Sequence, residues 1–270
     1  MAAQTGTRVT RAFAATPGGQ IHYAECGRGF PVLLLHQTPR SWDEYRDVLP
    51  ILGERFRAVA MDTIGFGDSY RIVGSHSIEA YAWGVLDLMD ALNISRATLM
   101  GHHTGGVVAI EVAAAAPERV ERLVLSSTPY VGPTERDMRK TRLPIDQVTP
   151  RPDGSHLTEL WQKRTGFYPD GRLDLLTRFV IDALRVLDMV ENGHLAVSAY
   201  RMEERLPLVR AKTLVMAGSE DQFALPHVED LRKRLPGSDV TIIEGGKVPM
   251  IDQLPQQVAA AVLDFLCNDG

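Results

Sequence analysis

A chain of 270 residues is long enough for one large domain with its own core. Apolar residues make up 44% and charged residues 23%, the balance of an ordinary globular protein. The net charge of −5, with no basic run interleaved with aromatics, argues against a nucleic-acid partner.

No segment approaches the roughly 20 apolar residues of a membrane span. Residues 1–13 lack the apolar stretch of a secretory signal. Cys26 and Cys267 lie near opposite ends, which suits neither a metal site nor a disulfide framework. These features predict a soluble cytoplasmic protein with a small-molecule substrate. A homodimer stays open.

In chain order, residues 20–25 read as a strand. Residues 31–36 (PVLLLH) form a short apolar run, as in a strand buried on both faces. Residues 42–52 have helical spacing. Residues 56–61 are a strand, followed by a turn-rich stretch over 62–69. Residues 77–92 form a helix that Ser77 can cap. A strand at 97–100 runs into Gly101. The small apolar residues of 107–116 suit a helix packed tightly on a sheet, and 119–126 gives the next strand.

Residues 131–205 contain no convincing strand. They hold helical stretches at 157–166, 172–188 and 193–205. Strand and helix then alternate again: a strand at 213–217, a helix at 228–235, a strand at 240–243 and a helix at 256–266. Strands alternating with helices imply an α/β fold with a mostly parallel sheet and right-handed crossovers. Ligands then bind at the carboxyl ends of the strands, which places His36, Asp62 and His103 along one edge. Residues 1–130 and 206–270 are expected to form one core. Residues 131–205 are expected as a helical cap over it, the rival being a separate binding domain. No nucleotide fingerprint follows the first strand, and no metal-ligand spacing appears, so no cofactor and no metal are expected.

Five stretches in this order resemble the α/β-hydrolase superfamily. They are His36-Gln37-Thr38-Pro39, Asp62 to Ser69 (DTIGFGDS), Gly101-His102-His103-Thr104-Gly105, Gly218-Ser219-Glu220-Asp221, and Gly245-Gly246-Lys247-Val248-Pro249. The resemblance implies an α/β-hydrolase fold with an inserted cap. It puts His103 on the nucleophile elbow, Asp221 at the acid position and Lys247 at the position of the family's catalytic histidine. It also implies that the N–H groups of Gln37 and Thr104 form an oxyanion hole.

The departures lie at the chemical centre. The family has serine where this chain has His103, and histidine where it has Lys247. Lysine beside a carboxylate stays charged and has no lone pair for base work. An Asp221–Lys247 ion pair is expected, either anchoring the last loop or offering an ammonium to an anionic substrate. A Ser-His-Asp mechanism therefore cannot be assigned. Histidine as a residue type titrates near neutral pH, so His103 can act as a general base.

His102 is expected mainly to pack behind the elbow, and His36 to shape the oxyanion loop. Trp161, Tyr168, His194 and Tyr200 are further candidate pocket residues. The expected activity is cofactor-independent chemistry on a small carbonyl compound: ester, lactone or C–C bond hydrolysis, or a related base-catalysed reaction. The alternatives are a lyase, dehydratase or cyclase, or a non-catalytic binding protein.

Overall fold

The computed structural model describes residues 8–267. Eight strands form one sheet. They are β1 (Thr10–Thr16), β2 (Gly19–Cys26), β3 (Pro31–Leu35), β4 (Arg57–Met61), β5 (Ala97–His102), β6 (Val120–Ser126), β7 (Lys212–Gly218) and β8 (Asp239–Ile243). The order across the sheet is β1-β2-β4-β3-β5-β6-β7-β8. β1 pairs with β2 and β2 with β4 antiparallel, and every pair from β4 to β8 is parallel. The sheet is thus mostly parallel, as the alternating pattern requires.

The apolar runs work because successive side chains point to opposite faces. In β3, Leu33 and Leu35 join the core on one face, while Val32 and Leu34 join the core on the other. The first face is covered by α2 (Ile78–Ala91), α3 (Thr104–Ala115) and α9 (Val228–Arg234). The second is covered by α1 (Leu49–Leu52), α10 (Met250–Gln253) and α11 (Pro255–Cys267). Ser77 caps α2 as its sequence suggests, accepting a hydrogen bond from the N–H of Ala80 at 3.1 Å.

Two elements differ from expectation. Residues 42–52 are not one helix but a 3-10 turn (Trp42–Tyr45) followed by α1, with Pro50 in the first turn of α1. Proline has no N–H for a continuous helix, so it sits where a helix begins. β1 lies within a stretch that shows no apolar run, because it is an edge strand whose single buried residue is Ala14.

Between β6 and β7 lie α4 (Pro133–Arg139), α5 (Ser155–Thr165), α6 (Leu173–Arg185), α7 (Asn192–Ala199) and α8 (Met202–Arg205). Part of this segment has its own apolar cluster, built on Leu160, Leu175, Leu176 and Phe179. Buried charges tie it to the core. The guanidinium of Arg40 donates to Asp182 of α6 at 3.0 Å and to Asp252 of α10 at 2.7 Å. Among the described residues, no helix is long and apolar enough to cross a membrane.

Candidate active site

β5 ends in a sharp turn into α3. His103 occupies that turn with φ 46° and ψ −113°, a strained conformation for a residue with a Cβ. The flanking glycines make room for it. A Cβ on Gly101 would stand 2.1 Å from the carbonyl oxygen of Gly105, and one on Gly105 would stand 2.0 Å from that of Leu35. The turn projects the His103 ring into a cavity of about 290 Å³ that Gln37, Thr38, Thr104 and Val248 also line.

Asp221 follows β7 and is fully buried. Its Oδ1 accepts the N–H groups of Phe223 and Ala224, each at 3.1 Å, which fixes the carboxylate. Its Oδ2 lies 3.0 Å from Nε2 of His103. The two atoms meet at ion-pair distance. Burial pushes the Asp221 carboxyl up, but the adjacent His103 outweighs it and holds the group well below the usual carboxylate range, with His102 adding to the effect.

The expected Asp221–Lys247 pair does not form. Lys247 Nζ instead lies 3.8 Å from Glu220 Oε2 in a half-exposed contact, and the side chain does not line the cavity. Local hydrogen bonds give the reason. The Lys247 N–H donates to Gln253 Oε1 at 2.9 Å, while Gln253 Nε2 donates to the carbonyl of Gly245 at 2.8 Å. The loop is cinched from the α10 side, and it is Val248, not Lys247, that reaches the cavity.

The oxyanion loop also differs from expectation. The N–H of Gln37 donates to Glu44 Oε2 at 2.8 Å, and its side-chain amide donates to Glu44 Oε1 at 2.7 Å. That backbone donor is therefore committed and does not face an incoming oxyanion. Glu44 is buried. Burial pushes its carboxyl up to about 8, against the lowering field of Arg40, with Asp252 adding to the rise. Thr104 is different. It is the first residue of α3, and its N–H has no acceptor among the described residues. Its hydroxyl meets that of Thr38 at 3.0 Å.

His102 is fully buried behind the elbow and does not touch the cavity. Its Nε2 donates to the carbonyl of Val248 at 2.9 Å, and its Nδ1 accepts from the hydroxyl of Ser126 at 3.0 Å. Burial, with His103 adding, brings its pKa down to about 3, so the ring is neutral and locks the last loop to the elbow. His36 is buried too. Its Nδ1 donates to the carbonyl of Gln37 at 2.7 Å, and its Nε2 accepts from Thr63 N–H at 2.9 Å. These bonds tie the loop after β3 to the loop after β4, and the ring does not line the cavity.

Of the four candidates in the helical segment, His194 alone lines the cavity. Tyr168 is buried in the segment's own cluster, and Trp161 packs against that cluster. Tyr200 lies in the core, where its hydroxyl donates to Glu111 at 2.6 Å. Trp161 serves the apolar face of α5, whereas Tyr168 and Tyr200 lie just past the ends of α5 and α7 and fold back onto apolar clusters. The cavity residues that motif reading missed are Arg139, Arg142, Arg164, Phe167, Phe223 and His227. The basic run between Arg136 and Arg142 was a usable signal for two of them.

Among the described residues, two groups of side chains have the spacing to hold a metal ion: His22, Asp62 and Asp68, and Asp146, Glu191 and His194. Neither fits one well. Asp62 already accepts from the N–H groups of Trp42 and Asp68 and lies 2.8 Å from His22. Both oxygens of Asp146 are taken by the guanidinium of Arg164, which puts a cation where a metal would sit.

The comparisons with known proteins agree with this architecture. Residues 31–253 match the model of a family described as "alpha/beta hydrolase fold". Over 119 residues the chain is 36% identical to a soluble epoxide hydrolase of Corynebacterium sp. (strain C12), covering 44% of this chain and 42% of that protein. Over 111 residues it is 39% identical to haloalkane dehalogenase 2 of Mycobacterium bovis (strain ATCC BAA-935 / AF2122/97), covering 41% of this chain and 39% of that protein. The matched stretch thus spans well under half of these relatives. The crystal structure of an enol-lactonase from Burkholderia xenovorans LB400 superposes with a TM-score of 0.78 at 20% identity, covering 95% of this chain and 100% of that one. A likeness at that identity establishes the fold alone.

Proposed function

The chain belongs to the alpha/beta hydrolase fold family, and from that membership we propose that it is a cofactor-independent enzyme acting on a small carbonyl compound. The reaction is hydrolysis of an ester, lactone or C–C bond, or a related base-catalysed step. His103 is its base. The observation that carries this reading is the 3.0 Å approach of His103 Nε2 to the buried carboxylate of Asp221, on a ring that lines a cavity. The similar epoxide hydrolase supports hydrolytic chemistry on a small substrate.

The chemistry follows from the tautomer. A proton on Nε2 faces Asp221, which leaves the lone pair on Nδ1. Nδ1 takes a proton from water as the water oxygen bonds to the carbonyl carbon. The imidazolium so formed is stabilised by Asp221. The N–H of Thr104, at the positive end of α3, meets the developing oxyanion. The imidazolium then returns the proton to the leaving group. In this reading residues 131–205 act as a cap that closes the cavity over the elbow.

His103 itself occupies the turn where the family carries its serine, so the base has no serine beside it to activate. That favours, as a second reading, proton abstraction beside a carbonyl, the first step of a lyase, dehydratase or cyclase. The same experiment tests the base in both. Purified protein is assayed against small p-nitrophenyl esters, lactones and β-diketones. The expected kcat/KM rises with pH as the imidazole loses its proton, and His103→Ala lowers it about 100- to 10,000-fold. Turnover by His103→Ala at the parent rate removes His103 as base. No turnover of any of these compounds leaves the protein a binder.

A further inference from the structure

The cavity wall opposite the elbow is unusually rich in guanidinium groups. Arg139 of α4, Arg142 just beyond it and Arg164 of α5 all line the cavity. Two of them have their own carboxylates. Arg139 Nε lies 2.7 Å from Glu135 Oε1, and Arg164 is bound to the buried Asp146. Arg142 is the exception: among the described residues, its guanidinium has no hydrogen bond and no ion pair. Beside these charges the lining is mixed: Glu135, His194, Gln222 and His227 share it with an apolar part. Phe167 and Phe223 meet edge to face at 5.2 Å, and Ile145 and Val197 complete that part of the wall.

We propose that this cavity takes a small carboxylate with an apolar body, and that Arg142 is the residue that binds the carboxylate. A planar guanidinium presents two parallel N–H donors that match the two oxygens of one carboxylate. A single unpaired guanidinium suits one such group, whereas a phosphate dianion would need further free donors. Arg142 stands exposed at the cavity, where partial burial and the neighbouring Arg139 push its guanidinium below its ordinary pKa against the opposing pull of Glu135 and Glu191, and a bound carboxylate favours its charged form. The expected anion site thus moves from Lys247, which lies outside the cavity, to Arg142.

The inference rests on the reading of this cavity as the reaction site, but its test needs no turnover. The full chain is titrated calorimetrically with benzoate and with its neutral isostere benzamide. Benzoate is expected to bind at least about tenfold more tightly, the scale of a hydrogen bond between charged groups. Added salt weakens benzoate and leaves benzamide unchanged. Arg142→Gln removes the preference with benzamide binding and thermal stability unaltered, since Arg142 has no protein partner to lose. Arg142→Lys retains part of it. Benzoate binding by a parent that turns over none of the esters, lactones or β-diketones overturns the proposed reaction and leaves this inference standing. Equal affinities for the two compounds, absence of benzoate binding, or an undiminished preference in Arg142→Gln overturns it.

Discussion

Two histidine–aspartate pairs border the same cavity, and they are built for different work. His103 lies 3.0 Å from Asp221, and His194 lies 2.9 Å from Asp146. Both aspartates are fully buried and both histidines line the cavity. The difference is the third partner. Asp146 is neutralised by Arg164, also buried, which binds both of its oxygens. Burial raises the Asp146 carboxyl, but Arg164 outweighs it and holds the group far below its ordinary range, with His194 a lesser contributor. Asp221 has no arginine. His103 is the main influence holding its carboxyl down against burial. A positive charge that forms on His103 thus meets an uncompensated carboxylate, while one on His194 meets a carboxylate already satisfied. In the proposed reading, residue identity and distance do not separate the base from the packing histidine, and the remaining partners of the carboxylate carry the distinction.

The comparison breaks most directly at the rings. With a substrate in hand, His103→Ala is expected to lower kcat/KM about 100- to 10,000-fold, and His194→Ala to change it only a few-fold. Steady-state kinetics of the two variants side by side decide the matter. Losses of equal size would mean that both pairs work, or that neither is the base.

The next largest effect is on stability, and it runs the other way. Asp146→Asn leaves the buried guanidinium of Arg164 without its counter-ion, which costs about 3–5 kcal/mol. Asp221→Asn leaves no buried cation behind, so it is expected to keep most of its stability while losing activity. Urea unfolding of both variants checks this. A stable Asp146→Asn would show that Arg164 finds another partner or reaches water.

A smaller effect concerns the oxyanion loop. Glu44, which holds both donors of Gln37, has its carboxyl raised by burial to about 8. The unfolded chain gives up this proton near the ordinary glutamate value of about 4.3, so between that pH and about 8 the native state binds more protons. Stability from this group is therefore complete at low pH and declines as pH rises through the window. Glu44→Gln is expected to flatten that decline and to cost about 1–3 kcal/mol below it, because the amide cannot accept both Gln37 donors. Melting temperatures of parent and variant from pH 5 to 9 test the sign. A parent that gains stability over that range would contradict it.

What the sequence made legible was local. The apolar runs of β3 and β5 and the glycines around His103 act within a few residues of themselves, so strand order and elbow could be read directly. What it hid was directional. Motif position places the backbone of Lys247 but not its side chain, which Gln253 turns out of the cavity from six residues away. The commitment of the Gln37 N–H depends on Glu44, an acidic residue in a turn that reads as surface helix until it is found buried. Tyr168 and Tyr200 looked like pocket residues because an aromatic just past a helix end carries no mark of which way it folds. Arg142 was passed over because a basic run usually reads as a solvated face. It became informative only when its neighbours' carboxylates were assigned and none remained for it.

Lys247 supplies the smallest expected effect and a useful control on the whole arrangement. The motif resemblance puts it at the position of the family's catalytic histidine, yet its ammonium meets Glu220 at 3.8 Å in a partly exposed contact. Pairs of that kind contribute roughly 0–1 kcal/mol. Lys247→Met is therefore expected to shift stability by less than about 1 kcal/mol, to leave benzoate binding unchanged and to alter kcat/KM by no more than a few-fold. The same variant at high salt should be indistinguishable from the parent, since the pair is screened there already. Thermal unfolding and kinetics together read all of this. A substantial loss of activity in Lys247→Met would return the ammonium to the reaction. It would then follow that the last loop swings inward when substrate binds and that the contact with Glu220 belongs to the empty site. In that event Glu220→Gln, which frees the ammonium from its outward partner, should raise activity, and the tie from Gln253 to the Lys247 N–H would mark the hinge.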